Sequence, residues 1–172
     1  IPGEGQNTEV QILREMQLPR GDWVAGALAN DGCIYNFPYR GGRILKLDPN
    51  DGDSLSLVGE EINEDFEAAV LGNDGYIYGI SDSEIIKFSP IDQRVSYIGK
   101  SFEHDDHLWT GAVLAEDGNI YAANRFRQIL RIDTSENDWK IIGSKINNDD
   151  GYGWGSPVIG ADKCIYFPPA YH

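Results

Sequence analysis

The chain has 172 residues, 41% of them hydrophobic and 24% charged, which makes one globular domain, residues 1–172, with a buried core. Its 28 acidic residues against 14 basic ones give a formal net charge of −14, without the basic footprint that phosphate binding requires, so no nucleic-acid partner is expected. No apolar run approaches the length of about 18 residues that a membrane span needs, and no compartment follows from the composition.

The chain repeats. Trp23, Phe66, Trp109 and Trp154 each open a segment that reaches an Ile-Tyr pair eleven residues on, and successive openings lie 43, 43 and 45 residues apart. A period of about 40 to 50 residues marks a repeat architecture. The first unit, residues 23–62, begins with Trp23–Leu28 and turns at Asn30-Asp31-Gly32. It continues through Ile34-Tyr35, then Arg43–Leu47 up to Asp48-Pro49, then Leu55–Val58, closed by Gly59. The second unit, residues 66–102, follows the same course: Phe66–Leu71, Asn73-Asp74-Gly75, Ile77-Tyr78, Glu84–Phe88 up to Ser89-Pro90, and Val95–Ile98. The third, residues 109–146, has Trp109–Leu114, Glu116-Asp117-Gly118, Ile120-Tyr121, Gln128–Ile132 and Trp139–Ile142. Residues 154–172 hold only the first two runs, Trp154–Ile159 and Cys164–Phe167. Val10–Leu13, within residues 10–16, reads as a fourth strand without a unit.

Asp-Gly between apolar runs is a hairpin signal, because glycine accepts positive φ without steric cost. Four short strands per unit of 40 to 45 residues, with no helical period, predict an all-β protein built of four-stranded antiparallel β-propeller blades. About four blades are expected over residues 1–172, a single propeller domain or a propeller fragment, the last blade completed by the N-terminal strand or by a partner, since open sheet edges are normally covered. Small residues recur in the first strand: Ala25-Gly26, Ala68-Ala69, Gly111-Ala112 and Ser156-Pro157. They suit the crowded inner strand at a propeller axis. The motif D-G-x-I-Y, followed by I-L-K-L-D-P and a closing glycine, resembles blades of the virginiamycin B lyase, NHL and quinoprotein-like propellers over residues 10–171. That resemblance implies a fold. The lyases' catalytic His and Glu with a metal match no motif in this sequence, so no activity is carried over.

Strands that alternate up and down put the connections between units, together with the loops between second and third strands, on one face. That face would carry Asp22, Arg40, Glu64, Asp65, His104, Asp105, Asp106, Arg125, Arg127, Asp149 and Asp150. Such a ring of carboxylates with arginines suits a cation, a basic partner or a polyhydroxyl ligand; a merely solvated surface would look the same. His104, Asp106 and His107 are candidate metal ligands by residue type. No cofactor is expected beyond a divalent cation that this face would suit. There is no G-x-S-x-G elbow, no P-loop and no dinucleotide fingerprint. Cys33 and Cys164 hold the same repeat position, about a blade apart, and are expected to be free thiols. Tyr35, Tyr78, Tyr121 and Tyr166 recur with the blade and are expected to pack between sheets, each hydroxyl reaching a partner, with a lectin-like site per blade as the other reading. The expected function is a non-catalytic binding or scaffold module, completed by a protein partner or a second copy. The alternatives are a metal-dependent lyase or hydrolase using the acidic face, and a carbohydrate-binding propeller.

Overall fold

The computed structural model describes residues 21–102, 109–143 and 152–171. The candidates His104, Asp105, Asp106, His107, Asp149 and Asp150, and the expected strand Val10–Leu13, lie outside the described residues. All regular structure among the described residues is β. Blade 1 is β1 (Asp22–Leu28), β2 (Ile34–Tyr39), β3 (Gly42–Asp48) and β4 (Ser54–Ile62). Blade 2 is β5 (Phe66–Leu71), β6 (Ile77–Ser81), β7 (Ile85–Phe88) and β8 (Val95–Tyr97). Blade 3 is β9 (Trp109–Leu114), β10 (Ile120–Asn124), β11 (Ile129–Asp133) and β12 (Asp138–Ile142). Each is an antiparallel sheet in sequence order. The fourth blade is a hairpin in two pieces: β13 (Tyr152–Trp154) pairs with β16 (Pro169–Tyr171), and β14 (Val158–Ile159) with β15 (Ile165–Tyr166). A single uninterrupted pair was expected there. Pro157 and Pro168 lie between the two pieces, and a proline has no N–H for the ladder.

Each inner hairpin is locked by the same four hydrogen bonds. The backbone makes a three-residue loop, with Gly32 N–H donating to Ala29 C=O and Ala29 N–H to Cys33 C=O, and equivalent bonds in the other three blades. The turn aspartate then accepts twice. Asp31 Oδ1 takes the N–H of Cys33 at 3.0 Å, and Oδ2 takes the hydroxyl of Tyr35 at 2.8 Å. Asp74 with Tyr78, Asp117 with Tyr121 and Asp162 with Tyr166 do the same, at 2.9, 2.8 and 2.7 Å. The residue after the aspartate needs a left-handed backbone. Gly32, Gly75 and Gly118 supply it at φ near 80°, and Lys163 adopts φ 68° in the fourth blade. The repeated tyrosines thus have one recurring hydroxyl partner, the carboxylate four residues before them.

Blades stack through two apolar clusters. Between blades 1 and 2, Phe37 packs edge-on against Phe66 and Phe88, and Tyr35 packs at a tilt against Phe88, all fully buried or nearly so. Gly79 lies under the Phe37 ring, where a Cβ would come within 2.6 Å of ring carbon. Between blades 2 and 3, Tyr78, Ile80, Ile85 and Phe102 meet Trp109, Ile120 and Leu130. The inner strands β1, β5 and β9 lie side by side. Gly111 shows why they are built from small residues: a Cβ there would lie 2.8 Å from Ser156 Oγ of blade 4. The outer strand of blade 1 runs further than its apolar pattern suggests, because Gly59, at φ 72°, lets it bend and continue to the buried Ile62.

The clamp's worth depends on burial. Burial raises the Asp74 carboxyl, but the Lys87 ammonium, the Tyr78 hydroxyl and the Tyr76 N–H outweigh it and hold the group below the usual aspartate value. Asp74→Ala strips the hydroxyl of the fully buried Tyr78 of its partner and leaves the Lys87 ammonium, 2.8 Å from Asp74, with only Asn137 Oδ1 of its two polar contacts. It is expected to cost about 1–3 kcal/mol in urea unfolding. Asp162→Ala, beside the exposed Tyr166, should cost distinctly less. The Asp74 contribution is present above about pH 4, the unfolded carboxylate value. It should fade as pH falls through the lower folded value, so the two variants converge on the parent in acid.

Candidate functional site

The inner strands each carry one extra residue at the same place. The registers pair Trp23 with Pro38, Phe66 with Ser81 and Trp109 with Asn124, then slip by one, leaving Val24, Glu67 and Thr110 as bulge residues. A bulge re-aims the side chain it carries. Thr110 donates to the Trp154 carbonyl of the next blade at 2.9 Å. Val24 is exposed. Glu67 is half-buried, and its charge is felt by Asp82, Arg125 and Asp65. It is the only charged residue in the segments Trp23–Leu28, Phe66–Leu71, Trp109–Leu114 and Trp154–Ile159.

Part of the predicted face lies within the electrostatic reach of this glutamate. Asn63, Glu64, Asp65, Asp82 and Ser83 line a cleft of about 290 Å³. Asp65 Oδ1 accepts the backbone N–H of Arg40 at 2.8 Å, tying the β2–β3 loop of blade 1 to the connection into blade 2. Arg40 itself sits in a left-handed conformation, φ 70°, with its guanidinium 5.7 Å from the Tyr39 ring centre. Glu64 Oε2 accepts the hydroxyls of Ser81, at 3.1 Å, and Ser83. Arg125 brings a positive charge from the β10–β11 loop, and its backbone packs against Gly153, where a Cβ would lie 2.6 Å from the Arg125 carbonyl oxygen. Arg127, at φ 60°, places its guanidinium 5.9 Å from the Trp154 ring centre. Asp22 is an exposed strand end opposite Tyr39.

Of the predicted residues, Glu64 and Asp65 line the cleft with Asp82, and Arg40 is tied to its edge through Asp65. Glu67 is not among the lining residues but feels the charges of Asp82, Arg125 and Asp65, and Asp22 and Arg127 do not line the cleft. Glu67 escapes a loop-based reading because it lies in a strand. Its signal was a lone charge in an otherwise apolar repeat position. Burial first, then the Asp82 and Asp65 charges, push the Glu67 carboxyl above the usual glutamate value, and Arg125 only partly counters them. Among the described residues, no three His, Cys, Asp or Glu side chains come together as a metal site. A larger cleft, about 360 Å³, lies on the opposite face between Asn30, Asp31, Asp74, Tyr76, Pro90 and Ile91. Its two carboxylates are already committed to Tyr35 and Tyr78, so its polar groups serve the hairpins. Both cysteines are free, Cys33 buried and Cys164 exposed.

No family model matches the chain, and no curated protein matches it by sequence. Solved structures do resemble it. A catalytically inactive virginiamycin B lyase from Staphylococcus aureus, crystallised with quinupristin, matches with a TM-score of 0.64 at 12% identity, over 86% of this chain and 48% of the lyase. A streptogramin B lyase gives 0.65 at 14% identity, over 88% and 49%. An extracellular domain assigned to a hybrid two-component system of B. thetaiotaomicron gives 0.67 at 10% identity, over 92% and 21%. The chain spans about half the length of the lyases. At these identities the likeness is one of fold: the chain is all-β, with a propeller-like arrangement of blades.

A raised acid has a defined stability signature. The folded chain holds the Glu67 proton more tightly than the unfolded chain does. Charged Glu67 therefore costs stability once pH rises above the ordinary glutamate value near 4.3. Glu67→Gln is expected to raise the thermal midpoint at pH 7, and the gain should vanish below about pH 4. Melting curves of parent and variant across that interval check it.

Proposed function

We propose that the chain is a binding module that takes a positively charged segment of another protein at the acidic cleft of Glu64, Asp65 and Asp82, whose charges reach Glu67. One observation carries this reading. A carboxylate is placed by a bulge into an apolar inner strand, within the electrostatic reach of Asp65, Asp82 and Arg125, and burial with the two aspartate charges raises it above the usual glutamate value. A site that costs stability in the free protein is a common mark of function. An arriving ammonium or guanidinium would relieve the repulsion among the three carboxylates. The chain's charge of −14 would steer such a ligand toward it. The blades act as the scaffold, and the lyases' activity is not part of this reading.

The test is titration of a lysine- and arginine-rich peptide at several salt concentrations. The double variant Asp65→Asn, Glu67→Gln keeps the acceptor for the Arg40 N–H and removes two charges. It is expected to bind about tenfold more weakly, roughly 1.4 kcal/mol, with a flatter dependence on salt. Asp51→Asn, on an exposed turn of the opposite face, should leave both unchanged. Equal affinity and salt dependence for parent and double variant would sink the proposal.

A further inference from the structure

The cleft of about 360 Å³ between the hairpin turns of blades 1 and 2 lies within the size range of small-molecule sites, roughly 300–1,000 Å³. Its carboxylates serve the hairpins, but its rim does not. Elsewhere in the chain the same gap is closed from within. In blade 3, Asn119 is 7% exposed and donates its amide to Asp117 at 2.8 Å. Thr134 donates to the Gly118 carbonyl at 2.9 Å, and Ser135 folds back on Asp133 at 2.7 Å. Between blades 3 and 4, Lys163 pairs with Glu116 at 2.6 Å. Blade 2 carries Tyr76, Pro90 and Ile91 at the positions of Asn119, Thr134 and Ser135. Pro90 and Ile91 have no side-chain donor. Tyr76 is 38% exposed and Ile91 96%. Three departures from the repeat thus meet in one cleft, each putting aromatic or apolar surface where blade 3 has an internal hydrogen bond.

We infer that this cleft binds a neutral sugar, its pyranose ring against Tyr76 and its hydroxyls on Asn30 and Asp31. The lining argues against the other classes of ligand. A cation would meet Lys87, whose ammonium already lies 2.8 Å from Asp74 and 4.3 Å from the Tyr76 ring centre. An anion would meet the carboxylates of Asp31 and Asp74. A purely apolar ligand would cover those carboxylates and the exposed Asn30 amide without giving them a partner, and each group so covered costs free energy. A sugar answers each feature. Its C–H face gains dispersion contacts on an aromatic ring, and its hydroxyls both donate and accept. Asp31 accepts from the Cys33 N–H on one oxygen and from Tyr35 on the other, and a carboxylate has about four acceptor sites, so capacity remains. The Asn30 amide, which donates and accepts, reaches over the next blade, its nitrogen 3.5 Å from where a Cβ on Gly75 would stand. The site lies on the face opposite the acidic cleft and does not depend on the reading given to that cleft.

Amide NMR of the isotope-labelled full chain tests this with the methyl pyranosides of glucose, galactose and mannose as probes. At least one is expected to shift the Gly75 backbone and Asn30 side-chain signals, with a Kd on the order of 1 mM. Tyr76→Asn and Ile91→Ser give blade 2 the residues that blade 3 carries at those positions. Both should weaken binding, Tyr76→Asn by about tenfold because it removes the ring. Asn30→Ala, at an exposed side chain, should weaken it severalfold. Asn73→Ala, at the same position of the next gap, should leave it unchanged. If Tyr76→Asn lowers the melting midpoint sharply, the contrast between Asn30→Ala and Asn73→Ala decides. Silence toward all three pyranosides at millimolar concentration overturns the inference. Equal affinity for the parent and the folded Tyr76→Asn or Asn30→Ala variant does so too. An equal response to glycerol would mark an unspecific polyol effect, and methylammonium shifting the same signals while the pyranosides do not would mark a cation site; either result also overturns it.

Discussion

A turn carboxylate accepts from a backbone N–H on one side and a tyrosine hydroxyl on the other, and the rest of the architecture depends on that pair of bonds. The Asp31, Asp74, Asp117 and Asp162 clamps fix the inner hairpin of each blade. They also solve a problem of burial. A tyrosine wedged between sheets contributes a large apolar ring, but its hydroxyl must find a partner away from water. Placing that partner in the same hairpin makes each blade self-sufficient. In blades 1 and 2 the ring faces the next blade, and the polar end is satisfied before stacking begins.

Stacking then requires little beyond shape. Phe37 between Phe66 and Phe88, and Phe102 between Trp109 and Trp139, fill the gaps between sheets. Small residues at Gly79 and Gly111 leave room where a ring or a neighbouring strand approaches. The bulge after each opening aromatic bends the inner strand and directs one side chain per blade away from the ladder. Because the scaffold tolerates Val24, Glu67 and Thr110 at that position, it can be varied without disturbing the stack.

Most of the blade was legible in the sequence, since turn chemistry and apolar runs recur in register. Asp-Gly before Ile-Tyr predicts both the hairpin and the strand. The tyrosine's partner was visible as a fixed four-residue spacing, Asp31 to Tyr35 and its repeats, yet spacing across a turn says little about reach until the turn type is known. Glu67 was harder. Strict alternation assigns a side chain to one face of a strand, and a one-residue bulge overrides that assignment. The break in the last hairpin follows from Pro157 and Pro168 and could have been read from them. The partial convergence of the acidic face was not legible. Arg127 reaches the Trp154 ring from a left-handed backbone that an arginine rarely signals.

The described inner strands touch in series, β1 beside β5 and β5 beside β9. Such a chain of units is nearly one-dimensional, and its stability is a sum of blade terms and nearest-neighbour terms. Blade 2 has a neighbour on each side, and every residue of β6 is buried. Blade 4 lacks outer strands among the described residues and carries a lysine where its siblings carry glycine. Cooperativity is therefore graded along the arc. Amide exchange should be slowest in the middle of the chain and fastest at its C-terminal hairpin, with the boundary between them set by the contact of Gly111 with Ser156.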